Sequence, residues 1–120
     1  VIYVRAVEQK GRGVFAQRAL RKGEVFERSP VIVLPASQWD SIERTVLFNY
    51  CYEWDGDYAL ALGLGSLFNH SYQPNAIYTR QLTDLVMEYT ALRDIAADEE
   101  ITVNYNGDPA DQDPLWFAVR

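Results

Sequence analysis

Leu67-Phe68-Asn69-His70-Ser71-Tyr72-Gln73-Pro74-Asn75 gathers several hydrogen-bonding side chains around the single histidine of the chain and closes on a turn-forming Pro-Asn. Polar groups set between apolar strands point to a site. Downstream, Glu99-Glu100-Ile101-Thr102-Val103-Asn104-Tyr105 forms a second polar, apolar and aromatic block, and far upstream Gly11-Arg12-Gly13 heads the apolar run Val14-Phe15-Ala16.

Around these blocks the chain reads as short strands broken by turn chemistry, which predicts a mainly β fold with little helix. Ile2-Val7 and Val14-Gln17 flank the Gly-Arg-Gly segment, read as a turn. Glu24-Arg28 and Val31-Leu34 read as separate strands divided by Ser29-Pro30. Tyr50-Trp54 and Tyr58-Leu62 meet across a three-residue loop, Asp55-Gly56-Asp57. Ala76-Gln81 and Leu85-Ala91 meet across Leu82-Thr83-Asp84, with Leu85, Met87, Tyr89 and Ala91 on one face. Asp40-Ser41-Ile42-Glu43 has the N-cap-x-x-Glu form, and Ile42, Val46 and Leu47 follow at helical spacing, so one helix is predicted over Ser41 to Asn49.

The 120 residues suit a single domain over 1–120, long enough to bury about two thirds of the surface of the unfolded chain. Eight tyrosines exceed the needs of a core this size, so some phenols are expected to line a cavity. No uncharged run is long enough to span a membrane and no basic-apolar leader precedes Val1, which sets an intracellular location, cytoplasm or nucleus/nucleoid, as the expectation. The net charge of 11 − 17 = −6 suits a basic partner and opposes direct nucleic-acid binding. So small a chain offers little area for a peptide groove, which leaves room for a homodimer.

Cys51 is the only cysteine, so an internal disulfide and every cysteine-based zinc cluster are excluded. One histidine with no carboxylate three or four residues on does not reach a zinc ligand set, and no metal is expected. Ser66 and Ser71 lack a nucleophile elbow and a spare histidine to act as base. Gly11-Arg12-Gly13 fails as a dinucleotide fingerprint, since a third glycine and a following helix are missing. Its glycines can still present bare N–H groups to an anion, or belong to an ordinary hairpin. Recognition of a polar heteroaromatic ligand is what remains for Asn69 and His70.

Taken in order, the three blocks resemble those of the SET-domain protein lysine methyltransferases, over Val4 to Phe117. The resemblance implies a mainly β fold of several short sheets with one or two short helices, and a C-terminal segment threaded through a loop of the preceding chain. It also implies S-adenosylmethionine as cofactor, held by the backbone of Gly11, Arg12 and Gly13 and by Asn69 and His70. Asn75 would be tied to the core beside it. Tyr105 and Tyr78 take the catalytic roles: the Tyr105 phenol faces the reacting amine, and Tyr78 sets how many methyl groups a lysine receives. Tyr105 and Trp116 also border the cofactor, with Trp116-Phe117 closing over its adenine. The implied substrate is a basic, histone-like protein carrying the target lysine. The alternative is a SET-like module that has kept the fold without catalysis. Three positions depart from the family pattern: Asp98 where Gly is frequent, Asn104 where Asp is frequent, and Tyr72 where Cys is common. The cysteine-rich flanking modules are absent as well.

Overall fold

Val86-Met87-Glu88-Tyr89-Thr90-Ala91 alternates half-buried and buried residues along its length, the period of a strand with one face on a core. The computed structural model describes residues 1–115, and nine strands lie within them. These are β1 (Ile2–Val7), β2 (Gly11–Ala16), β3 (Val25–Leu34), β4 (Cys51–Trp54), β5 (Asp57–Ala61), β6 (Asn69–His70), β7 (Ala76–Gln81), β8 (Val86–Ala91) and β9 (Glu100–Val103). Among the described residues helix is confined to α1 (Trp39–Ile42) and to single 3-10 turns at Ala36–Gln38, Val46–Asn49 and Gly65–Leu67. The mainly β expectation holds.

Two sheets carry the strands, one in the order β1-β2-β9-β6 and one in the order β4-β5-β3-β8-β7. All pairs are antiparallel except β6 with β9, where Asn69 lies opposite Thr102 and His70 opposite Val103. The C-terminal strand therefore sits inside the first sheet, between the N-terminal hairpin and the Asn-His strand. Between the sheets lie Val14, Ala16, Phe68, Met87, Tyr89, Ile101 and Val103, all almost fully buried.

Several local expectations change. Gly11-Arg12-Gly13 is not a turn but the start of β2, paired with Arg5, Ala6 and Val7. The reversal falls one step earlier, where Gln9 takes a left-handed φ of 66° and the Lys10 N–H donates to the Val7 carbonyl at 3.1 Å. The two expected strands around Ser29-Pro30 are one. β3 pairs β8 up to Pro30 and β5 from Val31 onward, so a residue without an N–H falls at the handover between partners. Asp55-Gly56 makes a two-residue turn with Trp54 opposite Asp57. Its φ values of 48° and 88° are the pair of positive angles that a primed turn demands. Leu85 leaves the face of Met87, Tyr89 and Ala91, being 48% exposed and left-handed at φ 55°.

The single helix predicted over Ser41 to Asn49 is also absent. Thr45 is extended at φ −117°, ψ 169°. Its hydroxyl donates to the Ile42 carbonyl at 2.7 Å and accepts from the Leu47 N–H at 3.2 Å. A side chain that serves the backbone in this way ends one turn and starts the next. Asp40 sits within the first turn of α1 rather than capping it. Trp39 stacks on Tyr58 with ring centroids 3.9 Å apart, which ties this segment to β5.

Two of the departures from the family pattern acquire local reasons. Asp98 is left-handed at φ 66°, a conformation glycine adopts freely; its carboxylate accepts a hydrogen bond from the Tyr3 hydroxyl at 2.7 Å. Asn104 is 2% exposed. Its Nδ2 donates to the Asp111 carbonyl at 2.6 Å, and its Oδ1 accepts from the Asn106 N–H at 3.0 Å.

Candidate active site

β6 and β9 bring the sequence blocks 67–75 and 99–105 side by side, and Tyr105 follows just after β9. Its N–H donates to Nδ1 of His70 at 2.9 Å, and its hydroxyl donates to the Phe68 carbonyl at 2.6 Å. Because Nδ1 is an acceptor there, the neutral ring carries its proton on Nε2. Burial, helped by the positive charge of Lys10, lowers the His70 pKa below the usual histidine value. Burial pushes the Tyr105 phenol up to about 12, so it stays protonated near neutrality.

Asn69 Nδ2 donates to the Arg12 carbonyl at 2.9 Å and to Glu100 Oε2 at 2.7 Å. The Gly11-Arg12-Gly13 block thus reaches the Asn-His block through a main-chain oxygen; the Arg12 residue itself is exposed, as is Gly11. Gly13 is needed for this approach. A Cβ there would lie 2.5 Å from Glu100 Oε2 and 2.9 Å from Asn69 Nδ2. Asn75, 3% exposed, has a bracing role. Its Oδ1 accepts from the Thr102 N–H at 2.8 Å and its Nδ2 donates to the Glu100 carbonyl at 2.8 Å, which holds β9 against the start of β7.

On the other side of Tyr105 lies a cavity of about 280 Å³ whose lining includes Tyr52, Tyr78, Phe68, Glu53, Arg80 and Tyr105. Tyr78 is 6% exposed, and its hydroxyl donates inward to the Tyr105 carbonyl at 3.2 Å rather than pointing to the surface. The Tyr52 hydroxyl donates to the Gly65 carbonyl at 2.6 Å. Tyr89, beneath it, lies 2.8 Å from the same carbonyl and 2.9 Å from the Tyr52 oxygen. Burial raises the pKa of Tyr52, Tyr78 and Tyr89. Tyr52, Tyr78 and Tyr105, three of the four lining tyrosines, therefore keep their protons and donate them to protein carbonyls, which leaves their lone pairs facing anything that enters. The lining is aromatic at Tyr50, Tyr52, Phe68, Tyr78 and Tyr105, with Asn49, Asn106 and Arg80 among its polar groups. Arg80 closes the rim, its Nε donating to the Glu53 carbonyl at 2.6 Å.

Of the residues singled out from sequence, Gly13, the Arg12 carbonyl, Asn69, His70, Tyr78 and Tyr105 converge on one region, and Trp116 lies outside the described residues. Tyr52 and the Gly65 and Phe68 carbonyls escaped the sequence reading. A surplus of tyrosines was their one signal, and a carbonyl acceptor has no residue code at all. Tyr72, at the position where Cys is common in the family, sets its ring edge-on to His70 with centroids 4.5 Å apart. It donates its hydroxyl to the Asp113 carbonyl at 2.8 Å, and Asn106 Nδ2 donates to the same oxygen at 3.0 Å. A hydrogen-bonded clasp thus holds the C-terminal segment beside the site. Among the described residues no three His, Cys, Asp or Glu side chains are grouped as a metal would require.

The SET domain family matches this chain over residues 11–106. Over 116 residues the chain is 37% identical to a histone-lysine N-methyltransferase of Schizosaccharomyces pombe, specific for H3 lysine-37, with 95% of this chain and 75% of that protein covered. Its fold matches the crystal structure of a histone methyltransferase candidate from Plasmodium falciparum with a TM-score of 0.72 and 31% identity, over 87% of this chain and 91% of that one.

Proposed function

The chain belongs to the SET-domain family, and on that premise we propose that it is a protein-lysine N-methyltransferase that moves a methyl group from S-adenosylmethionine to a lysine of a basic, histone-like protein. The observation that carries this reading is the tyrosine cavity with Tyr105 as its inner wall, in which the hydroxyls of Tyr52, Tyr78 and Tyr105 already donate to protein carbonyls. A lysine side chain offers an apolar stem and a head that carries N–H donors, which suits aromatic walls with phenol lone pairs among them.

The reacting amine must be neutral. A lysine with pKa near 10.4 stands about 3.4 units above neutrality, which is about 4.6 kcal/mol of deprotonation. Transfer of the ammonium from water to the aromatic walls lowers that cost, because a low-dielectric setting penalises the charged form. With its pKa near 12, Tyr105 is a hydrogen-bonding and orienting group rather than a strong base. It and the neighbouring carbonyls hold the amine so that its lone pair faces the donor side, and alignment of this kind contributes much of the rate.

When bound, S-adenosylmethionine supplies an electrophilic methyl group on a sulfonium. The polar groups opposite the cavity suit its amino-acid end: Gly13 brings main chain close to Asn69, and Asn69 keeps its carboxamide oxygen available for an ammonium. His70 braces the wall between the two sides through Tyr105. The net charge of −6 favours a Lys/Arg-rich substrate over a nucleic acid. Work on a histone-like partner fits an intracellular, nuclear location. We read residues 1–120 as one SET domain.

Mass spectrometry of histones and other basic proteins incubated with this chain and S-adenosylmethionine tests the reading. Gain of methyl mass on lysine is expected. Donor binding without any methylated product would leave a donor-binding module in place of an enzyme.

A further inference from the structure

Asn69 can meet a ligand's ammonium only if its carboxamide oxygen, not its NH2, is turned to the ligand. Nδ2 donates to Glu100 Oε2 at 2.7 Å and to the Arg12 carbonyl at 2.9 Å. Both partners are acceptors, so the reversed amide would set Oδ1 against two oxygens. Both hydrogens of Nδ2 are engaged and Oδ1 keeps its lone pairs. Of the two partners only Glu100 is a side chain. Its carboxylate lies over Gly13, where a Cβ would come within 2.5 Å of Oε2, and Lys10 Nζ stands 3.6 Å from its other oxygen.

We propose that Glu100 is a positioning residue for the methyl donor: its carboxylate locks the Asn69 carboxamide in the orientation that turns Oδ1 to the donor's ammonium, and Gly13 leaves the space in which it does so. The proposal rests on the reading of Asn69 as a donor-binding residue. Glu100 contributes to the fold through its backbone, with Phe15 as its partner in β2 and its carbonyl accepting from Asn75. Truncation of the side chain leaves those bonds in place. The required property is an acceptor rather than a charge, so a glutamine, whose Oε1 can accept from Nδ2, serves nearly as well.

Calorimetry with S-adenosylhomocysteine, which keeps the amino-acid end of the donor, supplies the test. Glu100→Ala should weaken binding about ten-fold or more, while Glu100→Gln should stay within about three-fold of the parent, as expected for loss of the acceptor or for its retention without the charge. In an Asn69→Ala background, Glu100→Ala should change affinity little, because the group it positions has gone. Asn69→Asp should bind poorly, two carboxylates facing each other, and adding Glu100→Gln should recover part of the loss, because donor and acceptor are reversed at residue 100 while the Arg12 carbonyl still faces an oxygen. This pair carries the test should Glu100→Ala not fold. Binding by folded Glu100→Ala within about three-fold of the parent, an equal loss in both Asn69 backgrounds, or no recovery in the swapped pair would overturn the proposal. A parent chain that fails to bind S-adenosylhomocysteine would instead remove the donor reading on which it stands.

Discussion

Tyr105 makes two bonds with opposite purposes. Its N–H secures the backbone to His70 at 2.9 Å, and its hydroxyl faces the cavity region while donating to the Phe68 carbonyl at 2.6 Å. Tyr105→Phe keeps the first and removes the second, so turnover should fall by about two to three orders of magnitude. S-adenosylhomocysteine affinity should change by less than about three-fold, and steady-state kinetics beside calorimetry separates the two. Parent-like turnover in the folded variant would make Tyr105 a core aromatic only. Tyr78 acts at a finer level. Its inward hydroxyl, 3.2 Å from the Tyr105 carbonyl, takes up room a methyl group would need, and its lone pairs favour an amine that still has N–H groups. The parent should therefore produce mainly monomethyllysine, and Tyr78→Phe should shift products toward di- and trimethyllysine. A time course of methylation states reads this out, and identical distributions for the two proteins would remove Tyr78 from the role.

β6 is only two residues long, too short for its ladder bonds alone to hold a strand in place. Side chains on either flank supply the rest: Asn75 grips Thr102 and Glu100, and His70 takes the N–H of Tyr105. Protonation of Nδ1 would replace an acceptor with a donor facing another donor. Burial holds the folded His70 pKa below the ordinary 6.5. Below that pH the unfolded chain binds a proton that the folded chain refuses, so stability falls as pH drops from 6.5 through the folded value and is flat above. The chain has one histidine, and the carboxylates with shifted values, Glu24 and Glu99, lie below 4.5, so the window between belongs to His70. Urea unfolding at a series of pH values should show this slope in the parent and not in His70→Gln, whose amide oxygen can still accept from Tyr105. The same slope in both proteins would place the proton elsewhere.

Across the whole molecule the negative charge matters more to encounter than to stability. The ion pairs are exposed in most cases, as with Arg18 to Glu24 and Arg93 to Glu99, and pairs of this kind contribute about 0–1 kcal/mol each. A net charge of −6 instead draws a basic peptide in over distances that salt can screen. KM for a Lys/Arg-rich peptide should rise several-fold as ionic strength increases from about 0.05 to about 0.3 M, with kcat nearly constant, because the Debye length shrinks while the closed site does not. A KM indifferent to salt would assign peptide recognition to apolar contacts.

Residues 67–75, 99–105 and 11–13 carried the family, the mainly β class and most of the candidate site in the order of the chain alone. Strand periodicity is a local property, and the alternation in β8 or the Asp-Gly turn is decided by neighbours in sequence. Where a local rule met a long-range partner, the partner won. Pro30 did not divide β3, because two different strands take its two sides; the predicted helix instead gave way to a second local rule, the Thr45 hydroxyl serving the backbone of Ile42 and Leu47. The tertiary structure alone decided which oxygens surround the tyrosine cavity. Tyr52 comes from β4, Tyr89 from β8, and their shared acceptor from the 3-10 turn at Gly65. Glu100 stood in the polar block 99–105, but its contact with Asn69 formed only once β9 came to lie between β2 and β6. Residue types carry their chemistry in the sequence, but a hydrogen bond to a distant carbonyl leaves no pattern there, and the orientation of a carboxamide exists only once its partners have been brought together.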